Sequence, residues 1–299
     1  MKRFTYLLFV LLSVFMSVYA DDVPVKFQWA HSVDGNTLAG DMIIGMTKSS
    51  DGYYYVASTF GTASEESQSD AMNVWFDGEK LMNSKNALVT GSSYVGTSQN
   101  GNLLLQKVDK EGNVLWNMYT TKGDVEYAAT QIVPTSDGGV IMAIKARAWV
   151  EAEGLNNLLC VYQPGKKGRQ ILVYDELTKP SEYRYVIMKI TSKGVVSWSQ
   201  IIRGEVREDT KYATKNNAYI YGLAVDENDN IYVGGNFRTK LSFINRQNKW
   251  VEIEAKNTKD WNGDSQAVTG DLFLVKLDNE GAYANHLLAE GTAKCAFFD

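Results

Sequence analysis

Apolar and polar positions along this chain change over in short runs, and three of those runs carry nearly the same wording. Leu103-Leu104-Leu105-Gln106-Lys107-Val108-Asp109, Tyr185-Val186-Ile187-Met188-Lys189-Ile190-Thr191 and Leu272-Phe273-Leu274-Val275-Lys276-Leu277-Asp278 are copies of one apolar strand. Each leads into a glycine turn, at Gly112, Gly194 and Gly281, and then into a strand carrying Trp116, Trp198 or, in the divergent copy, Asn285. The step from the lysine to that position is 9 residues every time. Ahead of each Lys strand lies a turn between two further apolar runs: Asp51-Gly52, Asp137-Gly138 and Asp229-Asn230. Asp-Gly between apolar runs reads as a two-residue hairpin turn with positive φ at both central residues. The pattern predicts a unit of four strands, two flanking that turn followed by the Lys strand and the Trp strand. Helical periodicity is absent outside the N-terminal segment.

An internal period means one unit stacked on copies of itself, because no single unit buries its own face. The Lys strands are apolar at nearly every position, which predicts burial on both faces, as in four-stranded sheets packed face to face. The expected fold is therefore all-β, a β-propeller-like array of four-stranded antiparallel blades. Residues 1–20 form a separate leader, and residues 21–299 divide into repeats of about 26–110, 111–193 and 194–280, with the start of a further one at 281–299. A lone Trp-type strand at residues 26–31, carrying Trp29, opens the array. Three blades and one strand over make an incomplete ring, since propellers close at about four to eight blades.

The period is 82 to 87 residues, about twice that of a compact blade. The excess lies in three inserts between the second and third strands of each unit, residues 60–101, 147–184 and 239–270. They are polar, leave the unit at the same corner and are expected to line one rim.

The leader reads as an export signal: Lys2 and Arg3, an apolar stretch over 6–18, and Val18-Tyr19-Ala20 as the cleavage site. That stretch is short of the ~20 apolar residues of a bilayer span, and nothing after it is long and apolar enough to cross. A bacterial protein that is secreted or sits in the cell-envelope exterior, periplasm or cell surface, is the expectation. Loss of the leader changes 30 basic against 35 acidic residues to 28 − 35 = −7, which argues against nucleic acid as a partner. Two cysteines, Cys160 and Cys295, are no disulfide framework and read as structural thiols.

Asp226 to Phe237, with Ile231-Tyr232-Val233-Gly234-Gly235-Asn236-Phe237 at its end, followed by the Asp271 to Gly281 stretch, resembles secreted bacterial β-propeller repeats. These are the seven-bladed-propeller-type repeats of exported Bacteroidetes-like proteins. The Gly-x-Val-x-Trp element (Gly112, Val114, Trp116; Gly194, Val196, Trp198) is also similar to quinoprotein-type propellers. The resemblance covers residues 26–291 and implies a fold; no catalytic residue carries over from it.

Candidates for chemistry are few. The two histidines, His31 and His286, both fall on Trp-type strands, where packing or exposure outweighs a catalytic reading. Asp226-Glu227-Asn228-Asp229-Asn230 starts like a calcium loop but lacks the required glycine and the final glutamate, so it reads as a plain hairpin turn. Ser49-Ser50-Asp51-Gly52 and Thr135-Ser136-Asp137-Gly138 lack the spacing and tryptophan of sialidase Asp-boxes. No carboxylate pair is singled out for glycoside hydrolysis. Lys107, Lys189 and Lys276 recur at one position; a ring of cations round a channel is the functional reading, and strand-end lysines snorkelling to solvent is the preferred one. Lys166, Lys167 and Arg169 suit a solvated hairpin tip. No cofactor and no metal is implied.

The tryptophans divide into two sets. Trp29, Trp116 and Trp198 belong to the repeat core, whereas Trp75, Trp149, Trp250 and Trp261 lie in the inserts. Exposed rings offer flat apolar faces for sugars or peptide side chains; the competing reading is that each anchors its own insert. The expected function is an exported, non-enzymatic module that binds glycan or protein through Trp75, Trp149, Trp250 and Trp261, or scaffolds a surface assembly and associates through open blade edges. The alternative is a secreted hydrolase or lyase on the same scaffold.

Overall fold

The computed structural model describes residues 33–34, 42–60, 75–76, 79–80, 100–122, 124–147, 149–150, 156–166, 170–174, 183–204, 218–237, 239–256 and 271–290. The chain divides into two compact units, Met1–Ala30 and His31–Asp299, and all of these residues lie in the second. None of them is helical. Trp29, His31, Trp261, Cys295 and the leader fall outside the described residues.

In chain order the strands are β1 (Val33–Asp34), β2 (Met42–Lys48), β3 (Tyr54–Phe60), β4 (Trp75–Phe76), β5 (Glu79–Lys80), β6 (Asn100–Val108), β7 (Val114–Lys122), β8 (Asp124–Pro134), β9 (Val140–Arg147) and β10 (Trp149–Val150). They continue as β11 (Asn156–Tyr162), β12 (Gln170–Tyr174), β13 (Tyr183–Ile190), β14 (Val196–Gly204), β15 (Ala218–Val225), β16 (Ile231–Phe237), β17 (Lys240–Ile244), β18 (Trp250–Glu254), β19 (Asp271–Leu277) and β20 (Tyr283–Ala289). Three four-stranded antiparallel runs stand out, each in simple up-and-down order: β2-β3-β6-β7, β8-β9-β13-β14 and β15-β16-β19-β20; a short pairing of β6 with β8, Asn100 opposite Glu126, joins the first two into one larger sheet. These are the three blades, and the Lys strand is the third strand in each. Lys107 faces Trp116 across the ladder, Lys189 faces Trp198, and Lys276 faces Asn285.

Alternation along the strands aims successive side chains at opposite neighbours. Tyr55, Leu103, Leu105 and Met118 of the first blade pack with Val140, Met142, Val186 and Met188 of the second in one core. Ile141, Ala143, Tyr185 and Ile187, the other face of the second blade, pack with Ile231, Val233, Phe273 and Val275 of the third in another. The middle blade's strands are thus buried on both sides, which is why their apolar runs are unbroken.

The Asp-Gly turns differ from the sequence expectation. The Ser49 N–H donates to the Tyr53 carbonyl (2.9 Å) and the Gly52 N–H returns to the Ser49 carbonyl (3.0 Å); the turns beginning at Thr135 and Asp226 repeat the scheme. Positive φ occurs only at the fourth residue, 87° at Gly52, 77° at Gly138 and 59° at Asp229. This is a type I turn closed by a left-handed residue, which leaves the Asp51 and Asp137 backbones in ordinary conformations.

The inserts supply the largest addition to the expected strand set. The β11 strand of the second insert pairs with β7, and β17 of the third pairs with β14. In both cases an insert reaches back to the outer strand of the preceding blade and extends that sheet. In the first insert, β4 pairs with β1 and β5 in a separate three-stranded sheet. The inserts were read from sequence as rim loops because their overall composition, rich in Ser, Asn, Gly and Lys, is polar. Pairing along an open outer edge satisfies backbone groups that would otherwise face water.

Candidate functional site

Two polar assemblies emerge, one at the turn tips and one on an insert hairpin. At the tips, Lys107 does not snorkel to solvent as the sequence suggested. Its side chain is 5 % exposed, and its Nζ lies 2.8 Å from an Asp51 carboxylate oxygen and 4.4 Å from the centre of the Tyr53 ring. Lys189 makes the same pair with Asp137 at 2.9 Å. Lys276 lies 3.9 Å from Asp226 and is more open. The reason is geometric: the third strand ends beside the turn joining the first two, so the lysine meets the turn aspartate before it can reach water.

The hydrogen bonds around these carboxylates decide their ionisation. Burial works to raise the Asp51 carboxyl, but Lys107 and Ser49, which donate to it, outweigh burial and leave it below the usual carboxylate value. Burial likewise opposes, and Thr135, Lys189 and the Gly139 N–H overcome, at Asp137. Asp226 is lowered to about 2, chiefly by the Asn230 side-chain amide, with the N–H groups of Asn230 and Asn228 adding to it. Those bonds make Asp226-Asn230 a self-capped hairpin. Tyr55 is pushed up by burial and by the charges of Asp51 and Asp137; its hydroxyl donates to the Gly138 carbonyl at 2.6 Å.

The tips are linked from blade to blade. Ser50 Oγ donates to the Ser136 carbonyl (3.1 Å), and Ser136 donates through N–H (2.9 Å) and Oγ (2.8 Å) to the Asp229 carboxylate. Asp229 replaces the glycine of the other turns, and its short polar side chain tolerates the left-handed backbone. Trp116 adds a second link: its indole N–H donates to the Ser192 carbonyl (3.1 Å), and its ring lies where a Cβ on Gly194 would be, 2.7 Å away. Trp198 does the same against Asn279 and Gly281. The repeat tryptophans therefore lock each blade to the next, and only a glycine admits them.

The second assembly is on the β17–β18 hairpin. Leu241, Phe243 and Ile253 face the core, which turns Lys240, Ser242, Trp250, Glu252 and Glu254 to the other side. Pairing of Ser242 with Arg203 on β14 brings that arginine to the same side. The Arg203 guanidinium carbon stands 3.9 Å from the centre of the Trp250 ring, and the tryptophan remains 36 % exposed. Lys240 Nζ bridges Glu252 (3.1 Å) and Glu254 (3.8 Å).

Of the four tryptophans singled out by sequence, Trp250 thus lies on an open hairpin face. Trp149 lies on β10, paired with Asn157, and Trp75 on β4, paired with Asp34. Trp75 belongs to a separate three-stranded sheet, Trp149 and Trp250 stand on strands at opposite ends of one long path of paired strands, and the described contacts do not bring the three residues together. Sequence reasoning missed Arg203, Lys240, Glu252 and Glu254. Glu252 and Glu254 were findable, since they alternate with Val251 and Ile253 after Trp250; Arg203 was not, because its place depends on a pairing between distant segments.

Residues 210–236 match the family model described as Beta-propeller repeat, a stretch that takes in β15 and nearly all of β16. This match and the three four-stranded blades together support a β-propeller repeat fold. No curated protein matches it. Solved structures similar to it include a catalytically inactive virginiamycin B lyase from Staphylococcus aureus with quinupristin, at 10% identity over 85% of this chain and 88% of that chain, with a TM-score of 0.22. The selenomethionine-substituted virginiamycin B lyase from the same organism matches at 12% identity over 89% of each chain, with a TM-score of 0.20. Likeness at these scores carries no weight for mechanism.

Proposed function

We propose that this β-propeller repeat protein is an exported, non-enzymatic binding or scaffolding module that recognises glycan or protein through its insert hairpins. The observation that carries the reading is Trp250, an exposed ring held in a fixed plane by Arg203 on a strand paired into the second blade's sheet. A fixed ring loses little conformational freedom on binding, so its apolar face is available at small entropic cost. The leader and the absence of basic surplus support display outside the cell and a partner other than nucleic acid.

A glycan and peptide array probed with the full chain tests the reading, followed by Ala at Trp75, Trp149, Trp250 and Trp261 in turn. Binding weakened by these changes without loss of fold is the expected result. Silence across the array, with the variants merely unfolding the inserts, would make the tryptophans internal anchors. Turnover of a bound glycan would move the assignment to a hydrolase or lyase. Export is checked by N-terminal sequencing of the secreted protein, which should begin at Asp21.

A further inference from the structure

We infer that the β17–β18 face is a subsite for a neutral saccharide, an inference that rests on the binding role proposed for the insert hairpins and narrows it to one ligand class. Three features converge. First, Trp250 offers one ring face, because Arg203 occupies the other at 3.9 Å. A cation already on the ring leaves little for a second cation to gain, which disfavours lysine- or arginine-rich peptides. Contact between a sugar's C–H face and the ring is dispersive and survives that arrangement.

Second, Glu252 and Glu254 follow Trp250 on the same side of β18, with side chains 56 % and 76 % exposed. Alternate residues on a strand stand about 7 Å apart, far enough for the two carboxylates to meet different hydroxyl groups of one oligosaccharide. Ionised carboxylates accept only, so the hydroxyl donors of a sugar suit them. Lys240, bridging both glutamates, holds them in position and adds a donor beside them. Third, the charges of Arg203, Lys240, Glu252 and Glu254 cancel on this face. The mature chain is net acidic, as 28 − 35 = −7 shows. No cationic surplus is present to hold a uronate, sulfate or phosphate, and the open glutamates repel one.

Titration of the full chain with neutral gluco-, manno- and galacto-oligosaccharides, a uronate oligosaccharide and a basic peptide, followed by saturation-transfer NMR and calorimetry, tests this. The expected result is weak binding of at least one neutral saccharide and no detectable uronate or peptide binding at the same site. Trp250→Ala should weaken the saccharide by about tenfold, Glu252→Gln by a smaller factor, and Trp250→Phe, which keeps a ring, by less than Trp250→Ala. Far-UV circular dichroism and the thermal midpoint report the fold, and the Phe and Gln variants keep the test decisive if the Ala variant misfolds. Uronate or peptide binding that depends on Trp250, or saccharide binding indifferent to Trp250 and Glu252, overturns the inference and leaves the broader binding role standing. Absence of any array ligand at all overturns both.

Discussion

Between the first and second blades, Leu105, Lys107, Trp116 and Met118 meet the next sheet, and the first, second and fourth are almost or wholly covered. The same four positions of the third blade are Leu274, Lys276, Asn285 and Leu287, and Leu274 and Leu287 are 39 % and 68 % exposed. The strands carrying them have the same pairing and the same turns. Burial of a propeller strand is therefore a property of its neighbour as much as of its own pattern. The place where the lock residue changes, Asn285 for tryptophan, is also the face on which no further blade stands among the described residues. Asn285 instead accepts a hydrogen bond from the His286 N–H (2.8 Å), satisfied within its own strand.

The sharpest way to break this comparison is at the locks. Trp116→Ala and Trp198→Ala should each lower stability by about 3 kcal/mol, as removal of a large packed ring does, whereas Asn285→Ala should change it by about 0.5 kcal/mol or less. Urea denaturation reads the difference; equal losses at all three positions would mean the locks do not join blades. Next in size is the lysine pair. Lys107→Met leaves Asp51 without its cation beside two tyrosines, and a loss of about 1–2 kcal/mol is expected, discounted because Asp51 is 35 % exposed. Lys276→Met should cost less than half as much, its partner lying 3.9 Å away.

Acid should act on the same groups. Asp51, Asp137 and Asp226 are all held below their ordinary value of 3.8. A depressed carboxylate contributes stability that is fully present above the unfolded value and is lost as pH falls through the folded one. Thermal midpoints should therefore drop below pH 3.8, and for Asp226 the loss should run down to about 2. Asp51→Asn with Asp137→Asn should flatten that limb; an unchanged acid profile would show the turn carboxylates to be energetically idle. The smallest effect on stability, though the clearest on association, concerns the third blade's open face. With Leu274 and Leu287 exposed, we expect concentration-dependent self-association of the full chain in size-exclusion chromatography with light scattering. Leu274→Lys with Leu287→Lys should abolish it while shifting stability by about 0.5 kcal/mol or less. A monodisperse monomer at high concentration would count against an adhesive face.

Much of this architecture was legible because it is local. The four strands of each unit, the Lys-to-Trp step and the turn positions follow from alternation and from Gly and Asp placement within a few tens of residues. The turn type was misread, since Asp-Gly suits two hairpin geometries and the hydrogen bonds from Ser49 and Thr135 to the aspartates favour the longer one. Of the candidate site, Trp250 was legible as an insert aromatic; its Arg203 partner was not, because residues 203 and 250 meet only through the pairing of β14 with β17.

The sequence by itself determined the unit, its strand order and the residues that could lock blades, since periodic patterning and turn chemistry act over short separations. Only the tertiary structure decided which edges the inserts extend, where the lysines find their counter-ions and which face of the third blade is left open. Those outcomes depend on non-local pairing, in which a five-residue strand such as β17 takes its place from the free hydrogen-bonding edge beside it.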